Sequence, residues 1–306
     1  MRILLAVSGG IDSMYLAHRA SVFFPESSFG VAHCNFHLRG CESDEDAIFV
    51  REWSEGHSIP FHYIDFDTSA YSSEKGVSIE MAARDLRYSW FHKICIEEGY
   101  DAVAVAHNAN DNAETLILNL LRGTGSRGLC GMDSDSRLEI AGAGSPLRIL
   151  RPMLRISREE INRWMTDNGC SWREDRTNAE SIYKRNKVRN NVFPLFEEIN
   201  PAFLKILGRD MEHFSQVNSI ADDFYRETIA GCTKGEDLDL GALLKRRHWE
   251  YALWRWLEPY RLSEETFEKL VELLRSGRTI SGKTFESPSH IISIHKKYLS
   301  VSDREK

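Results

Sequence analysis

The segment Ser8-Gly9-Gly10-Ile11-Asp12-Ser13 constrains this chain more than any other stretch. An apolar run at residues 3–7 precedes it and a helical apolar pattern opens at Met14, so two glycines stand between a strand and a helix. Glycines there let the backbone turn tightly and bring amide N–H groups close to an anion, and the first helical turn adds free donors and positive potential. The hydroxyls of Ser8 and Ser13 extend the set of donors toward phosphate oxygens. Asp12 would be repelled by bare phosphate, so its place in the loop makes sense if it holds Mg²⁺. The loop does not read GxxxxGK[ST], which sets it apart from a Walker loop and disfavours a kinase or GTPase mechanism.

Around this loop, strand and helix patterns alternate roughly every thirty residues. Residues 29–33, 61–66 and 101–106 read as strands, and 42–56, 78–98 and the TLILNLLR stretch as helices, with Ser78 as an N-cap. That alternation predicts an α/β fold, a parallel sheet with helices on both faces, whose ligands sit at the carboxyl ends of strands. Two such ends carry polar clusters, 8–13 and 107–115, so the active site is expected between them. The alternation stops near residue 195. Residues 202–228 read as one long helix and 249–260 as another that stops near Pro259, before a short strand-like tail, IISI and YLSV. The expected division is a catalytic domain over 1–205 and a smaller, mainly helical domain over 206–306. No run of 18 apolar residues exists to span a membrane, and the N-terminal apolar run is too short for a signal peptide. Six cysteines without a CxxC pair fit reduced thiols in a cytoplasm.

The second cluster brings His107 to a strand exit and places Asp111 and Glu114 three apart, on one helix face. Two carboxylates beside a histidine can orient Mg²⁺, accept a proton or hold a cationic amine. Arg84 and Arg87 share a helix face away from the apolar stripe and are expected to clamp phosphate. His33 and His37 straddle a strand end but bring no third metal ligand. Gly123-Thr124-Gly125-Ser126-Arg127-Gly128 matches G-x-G-x-x-G, yet it follows a helix rather than a strand and lacks the dinucleotide context.

The net charge of −7, from 39 basic and 46 acidic residues, argues against a nucleic-acid partner only as an average. Residues 147–190 carry eleven Lys/Arg against six Asp/Glu, a local +5. Phosphate contacts are local, so such a patch outweighs the total. Trp172 and Tyr183 lie among these charges, a pattern suited to an unstacked RNA base and its phosphates.

SGGIDS resembles the pyrophosphate-binding loop of the N-type ATP pyrophosphatases, which adenylate an acceptor and release pyrophosphate. With HCNFHLRG and ESDED, IEMAARDLRY, AHNANDNAETLILNLLRGTGSRGL, ILRPMLRISREEI and WREDRTNAESIYKRNKVRNNVFPLFEEINP, the chain resembles one family, the tRNA(Ile)-lysidine synthetases, closely over about residues 1–205. The resemblance implies a PP-loop fold of the adenine nucleotide alpha hydrolase type and an ATP-dependent ligase. Its substrates would be free L-lysine and the wobble cytidine of an isoleucine tRNA with a CAU anticodon. The base would be adenylated at its C2 oxygen, and the lysine ε-amine would then displace AMP to give lysidine.

On this resemblance, Ser8, Gly9, Gly10, Ile11, Asp12, Ser13, Arg84 and Arg87 would bind ATP. Asp12, His107, Asp111 and Glu114 would be catalytic. His107 with Asp111 would serve as base or metal positioner, Glu114 would hold the lysine ammonium, and Asp12 and Asp111 would hold Mg²⁺. Arg122, Arg151, Arg155, Arg185, Asn186 and Arg189 would meet RNA, with pyrophosphate a second partner for Arg122. A cytoplasmic homodimer is implied.

Two departures stand out. The family pattern has two adjacent aspartates where this chain reads Asn110-Asp111, which removes one carboxylate from the expected metal site. Many members also continue with a further tRNA-binding domain, so a short form or a truncated chain is expected. The rivals are a PP-loop tRNA thiolase, which would need catalytic or cluster-binding cysteines, and a non-catalytic tRNA-binding relative. A small-molecule amidotransferase or NAD synthetase would not need the basic segment.

Overall fold

Ile3, Leu5 and Val7 pack into one buried cluster while Leu4, from between them, packs into another. A strand buried on both faces requires a layer of helices on each side. A computed structural model shows those layers and describes residues 1–38, 40–174, 184–277 and 281–304. The chain forms two units, Met1–Ser215 and Gln216–Lys306.

In the first unit, strands β1 (Arg2–Ala6), β2 (Ser28–Asn35), β3 (Phe61–Asp65), β4 (Ala102–Ala104), β5 (Asp135–Leu138) and β6 (Leu147–Leu150) form one sheet in the order β3-β2-β1-β4-β6-β5. All neighbours are parallel except β5, which runs antiparallel to β6. The Ile3/Leu5 face is covered by Met14 and Leu16 of α1 (Ile11–Phe23), Val50 of α2 (Cys41–Gly56) and Ile161 and Met165 of α6 (Arg158–Asp167). The Leu4 face is covered by Tyr88, Phe91 and Ile94 of α4 (Ile79–Glu98). A short helix, α3 (Thr68–Lys75), and the β5–β6 hairpin are additions that the thirty-residue rhythm does not announce.

The strand order positions the site. From β1 the chain moves outward through β2 and β3, then returns to lay β4 on the other side of β1, with Leu5 facing Val31 on one flank and Ala104 on the other. Such a reversal opens a crevice at the carboxyl ends of the two central strands. The loop after β1 leads into α1, and the polar segment after β4 leads into α5 (Ala109–Arg122). Beyond α6 come α7 (Lys184–Lys187), a π-helical turn (Val188–Val192), α8 (Phe193–Ile199) and the long helix α9 (Phe203–Ala230). The expected stacking residue Tyr183 lies outside the described residues.

The second unit contains α10 (Leu240–Leu243), α11 (Trp249–Leu257) and α12 (Glu264–Arg275). The two strands expected in the tail are part of a five-stranded antiparallel sheet, in which β7 (Thr233–Lys234), β8 (Asp237–Asp239), β9 (Thr284–Glu286), β10 (His290–His295) and β11 (Tyr298–Asp303) take the order β7-β8-β11-β10-β9. Leu238, Leu253, Leu270, Ile292 and Leu299 close its core. The sequence from Gly277 to Thr284 does spell GxxxxGK[ST]. It follows helix α12 and leads into strand β9, the reverse of the strand-to-helix order a Walker loop needs.

Candidate active site

Gly9 takes a φ of +94°, a conformation that glycine adopts freely and other residues do not. Gly10 is the N-cap of α1 and supplies no side-chain cap, whereas Ser78, Asn108 and Ser157 cap α4, α5 and α6 with their side chains. The first-turn amides of α1 therefore have no side-chain acceptor from their cap residue, as an anion site requires. Ser13, 6% exposed, donates its hydroxyl to the Gly10 carbonyl at 2.9 Å and accepts from the Ser8 amide at 3.1 Å. Its hydroxyl lies 3.1 Å from that of Ser8. Ser13 thus braces the bend, while Ser8 stays exposed.

Asn108 joins the two clusters. Its side-chain oxygen accepts from the Asp111 amide at 3.1 Å and its side-chain nitrogen donates to Asp12 Oδ1 at 3.0 Å. The Asn108 backbone amide donates in turn to Asp111 Oδ2 at 3.0 Å, which completes a capping box. Burial raises the Asp12 pKa and the nearby Asp111 charge adds to the rise, against Arg158 and the Asn108 hydrogen bond. A carboxylate whose ionised form is disfavoured by burial and by a second carboxylate would be relieved by a cation such as Mg²⁺ beside Asp12, whereas Asp111 already faces the Arg189 guanidinium.

Arg189, from the π-helical turn, donates to Asp111 Oδ1 at 3.1 Å and to Glu114 Oε1 at 2.7 Å. Glu114 is fully buried, its Oε2 has no hydrogen-bond partner, and burial raises its pKa against the opposing charge of Arg189. Arg189 is thus engaged inside the crevice. Arg151 is also turned inward. Its Nε donates to His107 Nδ1 at 3.2 Å, and its Nη1 donates to the Asp133 carbonyl and to Ser136 Oγ, both at 2.8 Å. Burial, with help from Arg151, Arg185 and Arg84 against Asp111, pushes the His107 pKa down to about 4.

The remaining expected residues lie differently. The Arg84 guanidinium stacks over Tyr88 at 4.8 Å and that of Arg87 over Phe36 at 5.1 Å. Arg122 and Arg185 are exposed, and Arg155 pairs with Glu212 at 2.7 Å while 80% exposed. Asn186 is half-buried. His33 binds the Val7 carbonyl at 2.9 Å, and His37 meets Asp65 at 2.7 Å and Asp44 at 3.6 Å. Among the described residues, no group of three or more His, Cys, Asp or Glu side chains is arranged to hold a metal.

A cavity of about 770 Å³ opens on the loop, lined by Ser8, Gly10, Ile11, Asp12 and Ser13 and, from elsewhere, Asp46, Arg158, Trp172 and Arg173. Arg173 is held there by Asp46 at 3.0 Å and Glu45 at 2.5 Å, and its backbone amide donates to the Gly9 carbonyl at 2.9 Å. Asp46, Arg158 and Arg173 were not expected in the site. The signal for Asp46 and Glu45 was present in ESDED, but nothing local pairs it with a residue 127 positions away. Trp172, expected beside RNA, lines the same cavity as the loop.

Strand order, glycine loop and uncapped helix place a loop of the phosphate-binding type at the switch point of a parallel sheet. Residues 1–196 match the family model of the PP-loop domain, and the chain belongs to the PP-loop family. Residues 233–304 match the TilS substrate binding domain. The chain is 38% identical over 306 residues to a tRNA(Ile)-lysidine synthase of Parabacteroides distasonis, covering 99% of this chain and 66% of that protein. It is 39% identical over 289 residues to a tRNA(Ile)-lysidine synthase of Bacteroides thetaiotaomicron, covering 94% of this chain and 64% of that one. The chain therefore spans less than two thirds of the length of each of these relatives. Among solved structures, the U34-tRNA thiolase NcsA from Methanococcus maripaludis shares the fold, with a TM-score of 0.55 at 17% identity over 70% of this chain and 72% of that one.

Proposed function

We propose that this protein is an ATP-dependent ligase that joins free L-lysine to C2 of the wobble cytidine of a CAU-anticodon isoleucine tRNA. The carrying observation is the Asn108 bridge, which ties the uncapped phosphate loop to the carboxylate cluster on one crevice. The names of the relatives supply the substrates. ATP would lie with its β- and γ-phosphates on the amides of residues 9–13, the cations Arg158 and Arg173 beside them and its adenine against Trp172. Mg²⁺ held by Asp12 and Asp111 would neutralise phosphate charge.

The cytosine O2 forms a bond to the α-phosphorus with its own electron pair, and pyrophosphate leaves with the pair of the broken bond. The lysine ε-ammonium gives one proton to Asp111, the freed amine attacks C2, and AMP departs with the electron pair of the C2–O2 bond, its phosphate taking the second proton from the new C–N nitrogen. Glu114 Oε2, buried and unpartnered, is the acceptor assigned to the lysine ammonium, reached when Arg189 shifts. Arg84 and Arg87 would meet phosphates at the rim of the crevice. Exposed Arg122, Arg155 and Arg185, with Asn186, would meet the tRNA; the exposed Arg155–Glu212 pair is weak enough to exchange for a phosphate. A cytoplasmic homodimer completes the reading. Among the described residues, no helix is long and apolar enough to cross a membrane and no cysteine lines the cavity at the loop, against sulfur transfer.

Incubation with labelled lysine, ATP and either the isoleucine or the methionine CAU-anticodon tRNA, followed by nucleoside analysis, tests this. Lysidine in the isoleucine tRNA alone is expected. Pyrophosphate release that requires a sulfur donor instead of lysine would overturn the reading.

A further inference from the structure

A histidine with two carboxylates close by reads as a general base, but its hydrogen bonding here points to another role. Arg151 Nε can only donate, and it meets His107 Nδ1 at 3.2 Å. Nδ1 must therefore carry a lone pair, which leaves the ring proton of the neutral imidazole on Nε2. Arg151 is itself fixed by the Asp133 carbonyl and Ser136 Oγ, both on Nη1 at 2.8 Å, so the donor is not free to turn away. The charges around the ring favour the neutral form. Arg84 from α4, Arg151 after β6 and Arg185 from α7 oppose an imidazolium, and Asp111 of α5 favours one. Among the described residues, nothing accepts a hydrogen bond from Nε2.

We propose that His107 works as a neutral hydrogen-bond donor, its Nε2–H set by the Arg151 guanidinium on Nδ1 and given to a non-bridging oxygen of the nucleotide's α-phosphate. This rests on the proposed adenylation. The recipient follows from the surroundings. His107 directly precedes Asn108, which reaches the phosphate loop at Asp12, and three arginines make its neighbourhood attractive to an anion. In the adenylation step O2 bonds to phosphorus and the electron pair of the broken bond leaves on pyrophosphate. His107 neither gains nor loses a proton, and its bond shortens as negative charge builds on the phosphate oxygens. Arg151 is a positioning residue that acts through the ring.

Three substitutions separate a donor from a base. Gln places an amide N–H near the Nε2 position and cannot act as a base, Asn reaches only the Nδ1 position, and Ala supplies neither. Single-turnover pyrophosphate release would be measured on the full chain with ATP, free L-lysine and the CAU-anticodon isoleucine tRNA, after circular dichroism has shown each variant folded. His107→Gln should stay within about tenfold of wild type, and His107→Asn and His107→Ala should fall by roughly 10²–10³-fold. A Gln variant as slow as the Ala variant would overturn the proposal.

Nitrogen-15 NMR of the ring gives a second reading that no activity enters. Wild type should show the Nε2–H tautomer at neutral pH, Arg151→Gln a mixture, and Arg151→Lys a partial return. An Nδ1–H tautomer in wild type, or no change in Arg151→Gln, would also overturn it. Should wild type release no pyrophosphate at all, the proposed ligase activity fails, and the NMR result still decides which ring nitrogen Arg151 holds.

Discussion

Asn108 reaches from the start of α5 to the start of α1, donating its side-chain amide to Asp12 Oδ1 at 3.0 Å across 96 residues of sequence. The same side chain caps its own helix through the Asp111 amide. One residue thus sets both the entry angle of a helix and the position of the carboxylate in the phosphate loop. Substitution by Ser divides the two jobs, because Ser caps a helix about as well as Asn but is too short to reach Asp12. Asn108→Ala should cost about 1–2 kcal/mol from the lost cap. Asn108→Ser should recover most of that stability, while both variants lose at least about tenfold in ATP-dependent pyrophosphate release, the worth of one good hydrogen bond to a charged group. Urea denaturation beside a pyrophosphate assay checks this; a Ser variant with wild-type turnover would show that the Asp12 contact is idle.

Arg189 stands between two carboxylates, and the Glu114 side chain beneath it is fully buried. Removing the cation leaves Asp111 and Glu114 facing each other with Glu114 uncompensated. Breaking a buried pair from one side costs about 3–5 kcal/mol, and the partial exposure of Arg189 places this case at the lower end. Arg189→Ala should therefore lose roughly 3 kcal/mol, whereas Arg185→Ala, at an exposed position, should stay within about 0.5 kcal/mol of wild type. Equal unfolding midpoints for the two variants would contradict the arrangement.

The two loop glycines differ in kind. A Cβ on Gly9 would meet only ordinary contacts, 3.5 Å from Val50 Cγ2 and 3.7 Å from Asp46 Cβ and Arg173 Cγ, so space is not what requires glycine there. The φ of +94° is. Gly10 has a φ of −72°, open to any residue, and among the described residues a Cβ there would have Ser8 Oγ at 3.7 Å as its one neighbour within 4 Å. Gly9→Ala should cost roughly 1–3 kcal/mol of backbone strain and raise the KM for ATP through a distorted bend. Gly10→Ala should leave the melting temperature nearly unchanged. Thermal unfolding of the pair decides, and similar losses in both would place the strain elsewhere.

These comparisons mark the boundary of what the sequence makes legible. Strand β1, the Gly-Gly bend and the capped start of α4 are local, written in residues that touch within a turn or two, and they lie where the pattern puts them, whereas α5 starts at Ala109, ahead of the TLILNLLR stretch, on an Asn108 cap that the apolar pattern does not announce. The basic stretch 147–190 is a different case. Its charges divide into two populations that one-dimensional reading cannot separate. Arg155 and Arg185 face solvent, whereas Arg151, Arg173 and Arg189 turn inward to His107, Asp46 and Glu114. The inward set is fixed by partners 44, 127 and 75 positions away, and those pairings exist only once the sheet order has brought the strand ends together.

Acid tests the burial of His107. His107 ordinarily titrates at 6.5 and is pushed down to about 4 by burial. The unfolded chain then binds the extra proton between those values and the folded one does not, so stability rises with pH across the window and is lost as pH falls from 6.5 toward 4. Burial lowers His18 and His62 as well, and both act in the same direction. Asp12 and Glu114 act oppositely. Burial raises both, so the folded state takes up their protons first and gains stability as pH drops through their folded pKa values. The histidine loss is therefore partly masked in wild type, and a variant isolates it. Between pH 7 and pH 5.5, His107→Gln should lose about 1 kcal/mol less than wild type in urea unfolding, close to the worth of one pKa unit. Equal losses in the two proteins would mean that the ring is hydrated and titrates as it does in the unfolded chain.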